Sequence, residues 1–312
     1  MIEISAVTKS FGPIRAVDGV TFSVQRGEVL GFLGPNGAGK STTMKVIAGY
    51  LQPTSGTARI CGFDVVEQPI QAKQHIGYLP EGAPAYADMT PAGFLDFVAA
   101  IRGYDGAERK KRVAAAVETT HLDSVLYRPI DTLSKGFKRR VGLAQALLHD
   151  PDVMILDEPT DGLDPNQKHE VRTLIREMAP KKAIIISTHL LEEVTAVCTR
   201  ALIIAEGRIV ADGTPEELEA RSRHHNAVSV RVRRDVAETA RVAFGTLPAV
   251  ERVEEAPGAG QGVRFTLFPR AGRPIVEQVG ELVRIRGWAV DELFVERGRL
   301  DDVFRSITRP AS

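Results

Sequence analysis

One short stretch constrains this chain more than any other. Gly34-Pro35-Asn36-Gly37-Ala38-Gly39-Lys40-Ser41-Thr42 reads glycine, four residues, then glycine-lysine-serine, the Walker A pattern. The glycines let the backbone curl so that its N–H groups face a phosphate. Ahead of them Val29–Leu33 is an apolar run suited to a strand buried on both faces. Behind them a helical pattern starts at Lys40 and ends near Gly49 and Pro53, with its positive end aimed at the same anion. Lys40 then reaches the β- and γ-phosphates, and the Ser41 hydroxyl is placed for Mg²⁺. A glycine-rich turn that merely precedes a helix is the plain alternative, and the strand–loop–helix context disfavours it. The pattern predicts a P-loop NTPase α/β fold that binds a nucleoside triphosphate.

The rest of the first two-thirds fits such a fold. Ile2–Ala6 and Val20–Val24 alternate apolar and polar residues, as half-exposed antiparallel strands do. Val153–Leu156 and Ala183–Ser187 read as interior strands of one sheet, separated by an amphipathic helix carrying Val171, Leu174, Ile175 and Met178. Thr90–Thr120 and Lys138–Leu148 read as helical, which places a helical subdomain at about 88–150. Leu202–Ile204 and Arg208–Val210 flank Glu206-Gly207, a hairpin turn at the sheet's edge.

Val153-Met154-Ile155-Leu156-Asp157-Glu158 is an apolar strand ending in two acids. A buried carboxylate is costly unless paired, so a cation is its natural companion. Asp157 is the expected Walker B ligand of Mg²⁺, and Glu158, projecting from the opposite side of the strand, the expected general base for the attacking water. Two solvated acids at a strand end are the plain alternative.

With these motifs placed, the string LSKGFKRRVGLAQALLHDPDVMILDEPTDGLDP at 133–165 resembles the signature-to-D-loop region of an ABC transporter ATPase subunit. The resemblance runs from Ile2 to Pro215 with the motifs in family order. It implies that Phe11 stacks on adenine, where physics alone would also allow a core phenylalanine. It implies that Ser134 and Gly136 close over the γ-phosphate bound by the other subunit of a head-to-tail homodimer or paired ATPase subunit. Asp164 matches the D-loop aspartate that couples the two sites, and His189 the switch histidine at the γ-phosphate. The common LSGGQ signature here reads LSKGF. Lys135 either adds a charge near the opposing nucleotide or faces solvent. Glu81 stands where the Q-loop usually has glutamine, either ordering Mg²⁺ or water or serving as a hinge beside the membrane partner. The variants resemble the branch serving ABC-2-type exporters, including gliding-motility and drug-export types, in which separate integral-membrane permease subunits carry the cargo.

The polar run Arg221–Asn226 predicts a linker, dividing a nucleotide-binding domain at 1–220 from an accessory domain at 226–312. Beyond it the pattern reads strand, helix, strand, the turn PGAGQG, strand, helix, strand and a terminal helix. That is a small α+β domain of βαββαβ, ferredoxin-like order, with Trp288 and Phe294 in its core.

Composition narrows the function. Lys+Arg and Asp+Glu are 40 each, so no basic surplus exists for phosphate neutralisation, and no nucleic-acid partner is expected. A soluble ABC-type ATPase acting on ribosomes or DNA is the alternative, but only one Walker A and no long heptad run are present. An intact Glu158 and His189 disfavour a regulator without turnover. Cys61 and Cys198 lie far apart with no metal-ligand spacing, which argues against a disulfide scaffold or structural zinc and fits a reducing compartment. The opening MIEISAVTKSFG lacks a signal peptide's apolar core, and the longest apolar runs fall short of a membrane span. The expectation is a cytoplasmic protein, peripheral on the inner face of the cell membrane, that hydrolyses ATP with Mg²⁺ to drive transport.

Overall fold

A computed structural model describes residues 1–82, 85–257 and 262–308. The chain divides into two compact units, Met1–Thr214 and Pro215–Ser312.

The first unit opens with strands β1 (Ile2–Phe11), β2 (Ile14–Val24) and β3 (Val29–Leu33), then helix α1 (Lys40–Ile47). It continues through β4 (Ser55–Ile60), β5 (Phe63–Asp64), α2 (Pro69–Gln74) and β6 (Ile76–Leu79) to helices α3 (Pro91–Ile101), α4 (Gly106–Thr120) and α5 (Lys135–Leu147). After these come β7 (Val153–Asp157), α6 (Pro165–Met178), β8 (Ala183–Thr188), α7 (Leu191–Val197), β9 (Arg200–Ala205) and β10 (Arg208–Gly213).

Two sheets result. An antiparallel sheet has the order β2-β1-β4-β5, and a six-stranded sheet the order β10-β9-β3-β8-β7-β6. In the second, β9, β3, β8, β7 and β6 run parallel, and β10 closes the edge antiparallel. Strands β3, β7 and β8 are buried at every position, as their unbroken apolar runs require. Helix α1 joins the sheets: Met44, Val46 and Ile47 share one core with Ile2 and Ile4 from the first sheet and Ile155 and Ile185 from the second. Helices α3, α4 and α5 build a separate core around Phe94, Leu95, Val117, Val141 and Leu148.

Local chemistry sets several boundaries. The stretch 90–120 is two helices, because the chain breaks at Gly103 (φ +84°) before Asp105 starts α4. Thr90 caps α3, its hydroxyl accepting from the Gly93 amide with Pro91 at the first helical position. Helix α5 begins three residues ahead of the expected Lys138, since Ser134 caps it through the Phe137 amide.

The second unit holds α8 (Pro215–Glu219), β11 (Val228–Arg233), α9 (Ala237–Gly245), β12 (Val250–Pro257), β13 (Gly262–Pro269), α10 (Val276–Arg286), β14 (Val290–Val295) and α11 (Leu300–Thr308). Its sheet is antiparallel in the order β12-β13-β11-β14. Helices α9 and α10 cover one face, where Phe244, Val279 and Val283 meet Val228, Val230 and Val232. Of the expected PGAGQG turn at 257–262, Pro257 ends β12 and Gly262 starts β13, and 258–261 lie outside the described residues.

Two expectations for this unit need correction. The run 221–226 belongs to the second unit, because Leu218 is fully buried and α8 packs on α11. His224 Nδ1 and the Ser222 hydroxyl both bond Asp302 Oδ2, at 2.5 and 3.3 Å, so the polar residues are internal partners. The boundary therefore falls at Thr214/Pro215. Trp288 does pack on the core, 5.5 Å from Phe244. Phe294, however, is 43% exposed: it lies on edge strand β14 and pairs with Ser229, on the face away from Val228 and Val230.

Candidate functional site

The loop between β3 and α1 borders a cavity of about 470 Å³ whose wall includes Asn36, Gly37, Gly39, Lys40, Ser41 and Thr42. Gly39 precedes α1 with φ 105° and no side-chain cap, so the first-turn amides of the helix are left for an anion. A Cβ at Gly39 would stand 2.3 Å from the Ala16 carbonyl oxygen, so backbone conformation and space both demand glycine. Gly34 and Pro35 contribute carbonyl oxygens, which accept from Lys40 Nζ at 2.7 and 3.2 Å. Ala38 is buried, and its carbonyl accepts from the Gly207 amide at 3.0 Å, tying the loop to the β9–β10 turn.

Carboxylates converge from the neighbouring strands. Ser41 Oγ donates to Asp157 Oδ1 at 3.3 Å, and the Ser187 hydroxyl at the end of β8 donates to the same oxygen. Strand β7 ends at Asp157, and Glu158 adopts φ 50°, the left-handed region. Strand alternation is therefore not what places Glu158, as the sequence suggested. A left-handed turn, fixed by its amide donating to the Ser187 carbonyl at 3.0 Å, sends it into the cavity wall. His189 Nδ1 lies 3.0 Å from Glu158 Oε2 in the same wall. Burial pushes the Glu158 carboxyl up, opposed by His189 and Lys40. Burial also pulls the Lys40 ammonium down, opposed by Glu158, Asp157 and Glu81.

Ser41 and Asp157 are hard oxygen donors, and their separation is close to the ~3 Å between adjacent oxygens on octahedral Mg²⁺. The residues present thus fit that ion. Glu81 is exposed in the same wall, from the segment after β6.

Four expected residues lie elsewhere. Phe11 is 48% exposed at the end of β1, outside the cavity wall, with the Lys9 ammonium 5.2 Å from its ring centre. It is neither core nor part of the wall, to which β2 contributes Ala16. Ser134 caps α5 and is exposed, and Asp164 caps α6 through the Gln167 amide at 3.0 Å. Gly136 is buried against the side-chain amide of Gln167, which a Cβ there would displace. None of Ser134, Gly136 and Asp164 lines the cavity of its own chain. The Lys135 side chain is exposed and passes over Gly162.

Sequence reasoning missed Asp161 in the wall and Arg139 behind it. Arg139 is only 6% exposed and its Nη1 makes no hydrogen bond among the described residues. Burial lowers its basicity while Asp161, Glu158, Glu81 and Asp157 pull it back. Asp161, four residues past Asp157, had a positional signal. Arg139 had none, because nothing local couples α5 to the end of β7.

A phosphate cradle after β3 of a parallel sheet, with a histidine after the adjacent β8 and two acids at the end of β7 beyond it, defines a P-loop nucleotide-binding protein. Residues 17–161 match the ABC transporter family model. The chain is 31% identical over 314 residues to Nod factor export ATP-binding protein I of Ralstonia nicotianae, covering 99% of this chain and 94% of that one. It is 40% identical to the probable multidrug ABC transporter ATP-binding protein YbhF of Escherichia coli over 71% of this chain, but spans only 38% of that protein's length. A solved ATP-binding subunit of an ABC transporter superposes with TM-score 0.64 at 31% identity, covering 70% of this chain and 92% of the other. The chain belongs to the ABC transporter family, as an ATP-binding subunit.

Proposed function

We propose that this protein is the ATP-hydrolysing, energy-coupling subunit of an ABC-2-type exporter, working as a head-to-tail dimer beneath separate membrane permeases. The observation that carries the reading is a division of the machinery. The phosphate loop, Glu158 and His189 line one cavity, with Asp157 buried behind Ser41 and hydrogen-bonded to it, while Ser134, exposed at the N-terminus of α5, lies outside it. A hydroxyl and helix N-terminus suited to a phosphate need a second chain to deliver them. Export is supported by the names of the relatives, a multidrug transporter subunit and a Nod factor export subunit.

In this reading the loop amides and Lys40 hold the β- and γ-phosphates. Ser41 and Asp157 hold Mg²⁺, with Glu81 beside them, and the bound ion would neutralise charge developing on phosphate oxygens. Glu158 accepts the proton of the attacking water at its free carboxylate oxygen, and His189 fixes the other oxygen at 3.0 Å. Closing the dimer excludes water and pushes on the permease, and hydrolysis resets it. No helix among the described residues is long and apolar enough to cross a membrane. The strand order of the second unit supports reading it as a ferredoxin-like accessory domain.

The test is Ser134→Arg in a Glu158→Gln background. Each chain should still bind ATP, but the ATP-driven dimer seen by size exclusion with Glu158→Gln alone should disappear. Dimerisation that survives Ser134→Arg would overturn the shared site. Co-purification of an integral-membrane chain tests the transporter assignment, whereas co-purified RNA or DNA would favour the alternative.

A further inference from the structure

Away from the nucleotide cavity, the fold gathers three metal-binding side chains that are scattered in sequence. Cys61 and Gly62 form the turn between β4 and β5, both left-handed at φ 50° and +89°. His75 ends α2 directly before β6, and Asp152 directly precedes β7. One donor atom from each lies within 4.8 Å of the other two. His75 Nδ1 is 2.8 Å from Asp152 Oδ2, Arg26 Nη2 holds Asp152 Oδ1 at 2.9 Å, and the Phe63 ring stacks on the imidazole at 5.5 Å.

We propose that Cys61, His75 and Asp152 form a site for a divalent cation of the zinc class, with water as the fourth ligand. A thiolate, an imidazole and a carboxylate make a borderline-soft set that suits zinc, whereas Mg²⁺ takes oxygen ligands. Donor atoms on tetrahedral zinc stand about 3.3–3.7 Å apart, so closure needs roughly 1 Å of side-chain movement. Arg26 keeps the second carboxylate oxygen, and Phe63 sets the plane of the imidazole; both are orienting outer partners. Binding releases the thiol proton to solvent. The cation ties the β4–β5 turn to the starts of β6 and β7, whose far ends lead to Glu81 and to Asp157-Glu158. It is a brace, remote from the chemistry. Cys61 and Cys198 show no metal-ligand spacing in the sequence, and the other two donors of this site come from distant elements.

The test uses the full chain, stripped with chelator and titrated with Co²⁺ as a spectroscopic stand-in for zinc. We expect one equivalent to bind with a thiolate-to-cobalt charge-transfer band that Zn²⁺ abolishes by displacement. The band should be lost in Cys61→Ser and kept in Cys198→Ala, since Cys198 is buried elsewhere. The nucleotide cavity's candidate ligands Ser41, Asp157 and Glu81 offer only oxygen, so cobalt held by them gives no such band. His75→Ala should weaken cobalt affinity by about tenfold or more, the scale on which even outer partners are felt. A wild-type chain without the band, a band persisting in Cys61→Ser, or wild-type affinity in His75→Ala would each overturn the site.

Discussion

Replacing Glu158 with glutamine separates chemistry from folding. The residue is 9% exposed, and Oε2 faces His189 Nδ1 at 3.0 Å. Glutamine has nearly the same volume, leaves no cavity and can still bond the histidine, so the lost features are the charge and the proton acceptor. A positioned general base contributes roughly 10²–10⁴ in rate, so phosphate release should fall by that factor, about 3–5 kcal/mol of barrier. ATP binding should hold or tighten, since one like charge near a triphosphate is worth on the order of 1 kcal/mol when partly screened. Stability supplies an independent check. Burial raises the folded-state pKa of Glu158, so the ionised form is penalised above that pKa. The wild type sheds this penalty as pH falls through the raised value. Glu158→Gln should therefore melt higher at neutral pH, and the advantage should vanish below the ordinary carboxylate pKa of about 4.3. Phosphate-release kinetics and scanning calorimetry across a pH series read both effects. Turnover within about threefold of wild type would remove Glu158 as base, and a melting advantage that grew with acid would refute the burial argument.

The same site and the unit boundary yield further expectations. Gly39→Ala should abolish detectable ATP binding in a fluorescent-nucleotide assay, because its Cβ would stand 2.3 Å from the Ala16 oxygen at φ 105°. The acid limb of the pH–rate profile should lie above the ordinary carboxylate range, set by Glu158, and should be absent from the residual rate of Glu158→Gln. A chain cut after Thr214 should be more soluble than one cut after His225, which keeps Leu218 and His224 without their partners from 226–312; light scattering compares the two. Chelating Mg²⁺ should weaken ATP binding by calorimetry about tenfold or more, and Glu81→Gln should recover part of the loss by removing a like charge from the wall.

What was legible in the sequence is what local physics determines. Strands β3, β7 and β8 are interior, so their apolar runs were unambiguous, and the caps at Thr90 and the helix from Lys40 could be read from a few neighbouring residues. Elements that depend on distant partners were not. Strand β4 (SGTARI) has little apolar periodicity and exists because β1 pairs with it. Strand β6 was visible only as a motif, though pairing with β7 makes it a strand. The run at 221–226 looked like a linker because its polar side chains are satisfied by Asp302, some eighty positions further on.

At the site, residue types were legible and their directions were not. Asp157 and Glu158 are adjacent acids, and only the left-handed backbone at Glu158, held by Ser187, turns the second into the cavity. That arrangement also explains why the site tolerates so much buried charge. Lys40 stands among Glu81, Asp157 and Glu158, and Arg139 approaches the same acids from α5 without donating a hydrogen bond from Nη1. An unpaired buried guanidinium nitrogen is costly, and a wall with more acids than bases repels a polyphosphate. The repulsion falls when a cation enters with the triphosphate, so ligand binding relieves an electrostatic cost that the protein alone carries. The ligand-bound site is then favoured over the empty one by differential charge stabilisation.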